Sequence, residues 1–90
     1  MTRPVRTAAE VLDVVRQACA TVLELDPATV TRATSFADDL RADSLALVEI
    51  VEIVEEELAA RADGAFHIED EELDGLRTVG EAVDLAVDKL

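Results

Sequence analysis

"DDLRADSLALVEI", residues 38–50, is the stretch on which the reading of this chain turns. An acidic loop ends at Asp43, Ser44 follows, and a run of apolar residues and glutamates begins. A serine at such a junction is a helix cap, a nucleophile or a point of attachment. The rest of the sequence has to choose among the three.

On the C-terminal side, the pattern predicts a helix over about residues 44–60, with Leu45, Val48, Val51, Ile53, Val54 and Leu58 supplying apolar content. Glu49, Glu52 and Glu56 recur at i, i+3 and i+7, which sets three carboxylates on one stripe. Glu55 and Glu57 widen the polar surface. Like charges so spaced weaken a helix by a few tenths of a kcal/mol per pair. No Lys or Arg lies between Arg41 and Arg61 to relieve them, so a basic partner explains the stripe better than solvation alone.

On the N-terminal side, residues 26–43 keep no helical or alternating period over eighteen positions. Connections that long in a small domain are functional or are held by their own packing. Phe36 and Leu40 are the expected anchors, with Val30 third. Before the loop, Thr7-Ala8-Ala9-Glu10 has capping-box form, and Val11, Val15, Ala18, Val22 and Leu25 make one helical face over about residues 8–24. Pro27 ends it, since proline disfavours helix at the residue before it.

Beyond the second helix, residues 61–67 contain Gly64 and read as a loop. Asp70-Glu71-Glu72-Leu73 suits a short third helix, with its acids at the favourable end. Thr78-Val79-Gly80-Glu81 repeats the capping box, and Val79, Ala82, Val83, Ala86, Val87 and Leu90 follow as a stripe. The expected fold is all-α: a small antiparallel four-helix bundle of three main helices and a short one, with a long first loop. It forms one domain over residues 1–90, residues 1–6 being a disordered extension.

Composition removes several function classes. A formal charge of −13 argues against nucleic acid as a partner, because phosphate binding needs clustered Lys and Arg. It attracts basic protein surfaces, although solubility alone also accounts for it. Cys19 is the only cysteine, so there is neither a disulfide framework nor a thiolate metal site, and its apolar neighbours make it a small core residue. The N-terminus has no signal-peptide character and no apolar run approaches a membrane span. A cytoplasmic monomer is expected.

Three chemistries are conceivable for the central stretch. A calcium loop starting at Asp39 has Arg41 third, Ser44 sixth in place of glycine and Ile50 twelfth in place of glutamate, so that match fails. A hydrolase would need His67, the only imidazole, and Ser44 lacks the Gly-x-Ser-x-Gly elbow. No metal site and no catalytic residue is therefore assigned. A phosphate ester on Ser44, by contrast, would sit beside unpaired N–H groups at the positive end of a helix dipole. Capping by Ser44 or by Asp43 stands beside that reading.

Taken together, Phe36-Ala37-Asp38-Asp39-Leu40, Asp43-Ser44-Leu45, Val48-Glu49 and the later Leu76-Arg77-Thr78-Val79-Gly80-Glu81 resemble the acyl carrier protein family over roughly residues 8–89. The resemblance implies that Ser44 carries 4′-phosphopantetheine, transferred from coenzyme A by a phosphopantetheinyl transferase, and that acyl groups ride on it as thioesters. It implies a contact surface of Asp43, Leu45, Glu49, Glu52 and Glu56 for acyltransferase, ketosynthase and reductase-type enzymes with basic docking patches. It also offers Val51, Val54, Leu58 and Phe66 as lining for an acyl chain. The chain departs from the family pattern at Arg41, where glycine is common, at Ala46, in the length of residues 59–67, and at Glu69 in place of proline. Asp-Ser-Leu-Ala-Leu resembles aromatic-polyketide carriers, whereas Leu-Arg-Thr-Val-Gly is similar to fatty-acid ones. The alternatives are a free-standing peptidyl carrier, an unmodified acidic interaction module, and a small hydrolase.

Overall fold

The computed structural model describes residues 8–62 and 67–89, the side chains at 61, 62 and 70 apart. Thr7, the extension over residues 1–6, the loop at Gly64, Phe66 and Leu90 lie outside the described residues.

The first helix, α1, spans Ala8–Leu23 and buries Val11, Val14, Val15, Ala18 and Cys19. Those spacings of three and four place the five side chains on one face, which packs against both other long helices. The second helix, α2, runs Ser44–Ala62, two residues beyond the expected end. Its core contribution is Ile50, Val51, Val54 and Leu58. Leu45 and Val48, counted as apolar content from sequence, are instead 68% and 38% exposed. The third helix, α3, is the short Asp70–Asp74, and α4 covers Val79–Lys89 with Val79, Ala82, Val83 and Ala86 buried. Among the described residues the architecture is a small helical bundle with no strand.

The long first connection is held by particular bonds. A short 3-10 turn at Pro27–Thr29 follows Asp26, whose carboxylate accepts from the Ala28 N–H at 2.9 Å. Val30 is fully buried, and the Arg16 side chain donates to its carbonyl at 2.7 Å. The expected ranking of anchors is thus reordered: Val30 and Phe36 are buried, while Leu40 is only partly so. Sequence periodicity gives no sign of the Val30 anchor, because no regular pattern surrounds it.

From there the loop lies along the start of α4. Gly80 N–H donates to the Arg32 carbonyl at 2.9 Å, Val79 N–H to the Thr34 carbonyl at 2.9 Å, and Phe36 N–H to the Arg77 carbonyl at 3.0 Å. A side chain at position 80 would put its Cβ only 2.9 Å from the Arg32 carbonyl oxygen, so this approach needs glycine. The Thr78–Glu81 capping box is present in full: Glu81 N–H donates to Thr78 Oγ1 at 3.2 Å, and Thr78 N–H to Glu81 Oε1 at 2.9 Å. All the first N–H groups of α4 are thereby satisfied.

Candidate site at the start of the second helix

The loop carries its fold up to Ser44 through a compact turn. Ser35 offers its carbonyl to the Asp39 and Leu40 N–H groups, both at 3.1 Å, while its own N–H donates to Asp39 Oδ2 at 2.7 Å. Asp39 of the motif is therefore a turn former. Ala42 N–H then donates to the Phe36 carbonyl at 2.8 Å, closing the approach to α2. Between these bonds Arg41 sits at φ 53°, the left-handed region that favours glycine.

Asp43 decides the role of Ser44. Its Oδ1 accepts from the Ala46 N–H at 2.8 Å, and its carbonyl accepts from the Leu47 N–H at 2.9 Å. Asp43 is thus the cap, and Ser44 is the first residue of the helix proper. The Ser44 hydroxyl makes no hydrogen bond among the described residues, and the side chain is exposed. The N–H groups of Ser44 and Leu45, orphaned as the first of the helix, have no acceptor among the described residues. No acid stands in the first turn of α2. The two helix starts differ: α4 is closed by its capping box and the loop, whereas α2 leaves a hydroxyl and two donors without partners among the described residues. An anion at that hydroxyl meets the positive end of the helix dipole.

Two clefts meet at Ser44 among the described residues. The larger, about 290 Å³, lies between the loop and the α3–α4 connection, with Phe36, Asp38, Asp43, Leu76 and Arg77 among its walls. The other, about 210 Å³, is bounded by Val48, Leu73 and Asp74. Ser44, Leu47 and Leu76 line both. Val51, Val54 and Leu58, offered above as acyl-chain lining, are core residues no more than 7% exposed, as a place in the bundle interior requires. Leu47, one turn after Ser44, and Leu76, in the tail motif, were the residues that helical spacing and that motif could have picked out.

On the outer face, Leu45, Glu49, Glu52 and Glu56 are all exposed and follow at steps of four, three and four, so they share one strip. Glu55 does not join them. Its Oε2 accepts from the Ile68 N–H at 2.7 Å and lies 2.7 Å from His67 Nδ1, so it ties the segment before α3 to α2. His67 is engaged there, and no described contact joins it to Ser44. The Cys19 thiol is buried in the core, which raises its pKa to about 11 and keeps it protonated. Among the described residues no helix is long and apolar enough to cross a membrane.

Comparison with known proteins agrees with this geometry. The family model described as "Phosphopantetheine attachment site" matches residues 13–86. The acyl carrier protein of Phenylobacterium zucineum is 40% identical over 81 residues, 90% of this chain and 95% of that protein. That of Thermosynechococcus vestitus is 38% identical over 81 residues, 90% of this chain and 93% of its own. The solved structure of the acyl carrier protein from Enterococcus faecalis superposes with a TM-score of 0.71 at 32% identity, covering 93% of this chain and 99% of that one. The chain belongs to the acyl carrier protein family and contains its phosphopantetheine-attachment domain.

Proposed function

We propose that Ser44 is the residue that bears 4′-phosphopantetheine, and that the chain, a single domain, is a non-catalytic cytoplasmic shuttle. It presents acyl intermediates to fatty-acid or polyketide biosynthetic enzymes. The observation that carries this is the division of labour at the helix start. Asp43 supplies the cap through Oδ1, so the Ser44 hydroxyl is exposed and uncommitted. When bound, the group supplies a terminal thiol that holds the acyl unit as a thioester.

The chain's own residues fit that group. A phosphodiester on Ser44 Oγ gains the adjacent unpaired N–H groups and the helix dipole, an arrangement that favours anions by about 0.3–1 kcal/mol at low ionic strength. Leu47 and Leu76 give both clefts an apolar side next to the attachment point. The strip of Leu45, Glu49, Glu52 and Glu56, with Asp43 at its head, offers an exposed hydrophobic contact followed by three carboxylates. Such a surface suits phosphopantetheinyl transferase, acyltransferase, ketosynthase and reductase-type enzymes with basic docking patches, and steers them by long-range attraction. The protein contributes address and local concentration, and the chemistry belongs to the arm and the enzymes.

Intact-mass measurement after incubation with coenzyme A and a broad-specificity phosphopantetheinyl transferase tests the assignment. Wild type gains one phosphopantetheine unit and Ser44→Ala gains none. An unmodified wild type, or a modified Ser44→Ala, overturns it.

A further inference from the structure

We propose that Arg77 is the ion-pair partner of the phosphodiester on the arm, an assignment that rests on Ser44 as the attachment residue.

Arg77 and Ser44 line the same cleft, although 33 positions separate them in the chain. What brings them together is the pairing of the loop with the α3–α4 connection. The Arg77 carbonyl accepts from the Phe36 N–H at 3.0 Å, and the Arg77 N–H donates to Glu81 Oε1 at 2.9 Å. Both backbone groups are held, while the residue itself is exposed.

Its charge has no close acid partner: it acts on the Glu81 carboxylate only as the smallest of the influences that lower that group's pKa. Arg32 pairs with Asp84 at 2.8 Å, Lys89 with Glu72 at 2.8 Å, and Arg16 donates to the Val30 carbonyl. Among the described residues Arg77 has no ion pair, and it is the only cation on the walls of either cleft containing Ser44. The larger cleft already holds Asp38 and Asp43. A phosphodiester there adds a third negative charge, and an arginine is the side chain whose planar fork suits phosphate oxygens. Arg41, which also has no ion pair among the described residues, is three positions from Ser44 in sequence yet lines neither cleft. The acyl cargo of such a carrier can also be anionic. Its carboxylate would lie at the far end of the arm, however, whereas the phosphate is bonded to Ser44 itself.

The test uses the full chain, isotope-labelled, before and after conversion by a phosphopantetheinyl transferase, with conversion checked by intact mass. The Arg77 Nε–Hε resonance should move when the arm is added with its thiol free. More than half of that displacement should be lost near 1 M salt, where the screening length is about 3 Å. The phosphorus resonance of the arm should shift in Arg77→Gln and stay in place in Arg41→Gln, which removes the same charge. The proposal is overturned by an unmoved Arg77 signal in protein whose mass has risen, or by equal phosphorus shifts in the two variants. An Arg77 response that arises only after a carboxylate-bearing acyl group is loaded overturns it in favour of the cargo. A chain that gains no mass overturns the Ser44 assignment itself, a result the mass spectrum distinguishes from the other failures.

Discussion

Substituting Asp43 and Ser44 one at a time separates the cap from the attachment point. Asp43→Ala deletes the 2.8 Å bond to the Ala46 N–H and leaves a third helix-start donor without an acceptor. Loss of an N-cap side chain costs about 0.5–2 kcal/mol, typically about 1. In a domain of this size a loss of 1 kcal/mol lowers Tm by about 4–8 °C. Removing one of 21 acids from a chain of net charge −13 relieves some repulsion, which offsets part of that loss. Asp43→Asn isolates the cap bond: it keeps an accepting oxygen while dropping a charge that repels the other acids but favours the helix dipole, two opposed effects, so its Tm should stay close to wild type. Ser44→Ala removes no hydrogen bond among the described residues, and alanine is the better helix former by up to about 0.5 kcal/mol, so its Tm should hold or rise slightly. Thermal unfolding of the unmodified proteins by circular dichroism measures all three, and intact mass after transferase treatment follows the arm. Asp43→Ala should melt early yet still take up the arm, and Ser44→Ala should do the reverse. If Ser44→Ala loses as much stability as Asp43→Ala, the hydroxyl is the cap and the reasoning fails.

Three further outcomes follow from the same contacts. Phe36→Ala, which empties a buried site on the loop, should cost about 3–5 kcal/mol in urea unfolding, and a loss below about 1 kcal/mol would show that Phe36 does not anchor the loop. The Glu81 carboxyl is held below its ordinary 4.5 by the Thr78 and Arg77 backbone N–H donors, so its contribution is present above that value and fades as pH falls through the lowered one. The stability gap between wild type and Glu81→Ala should therefore close on acidification, and a gap independent of pH refutes the assignment. Glu49→Lys combined with Glu52→Lys should slow turnover by a partner enzyme and flatten its salt dependence, whereas unchanged kinetics at low ionic strength count against the proposed docking strip.

Periodicity made α1 and α4 readable almost to the residue, because each buries one regular face and α4 carries its own start signal at Thr78. The motif around Ser44 and its glutamate strip were equally plain, since both belong to one continuous segment. Reading was poorer where apolar character and burial part company. Val48 looks like a core residue in sequence, yet it is left 38% exposed at the edge of a cleft, because the inner face of the helix is already filled by Ile50, Val51, Val54 and Leu58. Glu55 looked like one more surface acid until the return of the chain placed the Ile68 N–H against it.

Residue type and spacing by themselves determined the helices, the place of Ser44 at the start of the second, and the family, because each depends on contacts within a few positions along the chain. Whether Asp43 or Ser44 serves as the cap was settled only by the folded backbone, since both residues are competent and they differ only in where the turn before them ends. Likewise, tertiary structure alone brought Phe36, Leu76 and Arg77 around the serine. Their approach depends on the long loop lying along the start of α4, through backbone hydrogen bonds and a glycine-sized gap that carry almost no side-chain signature.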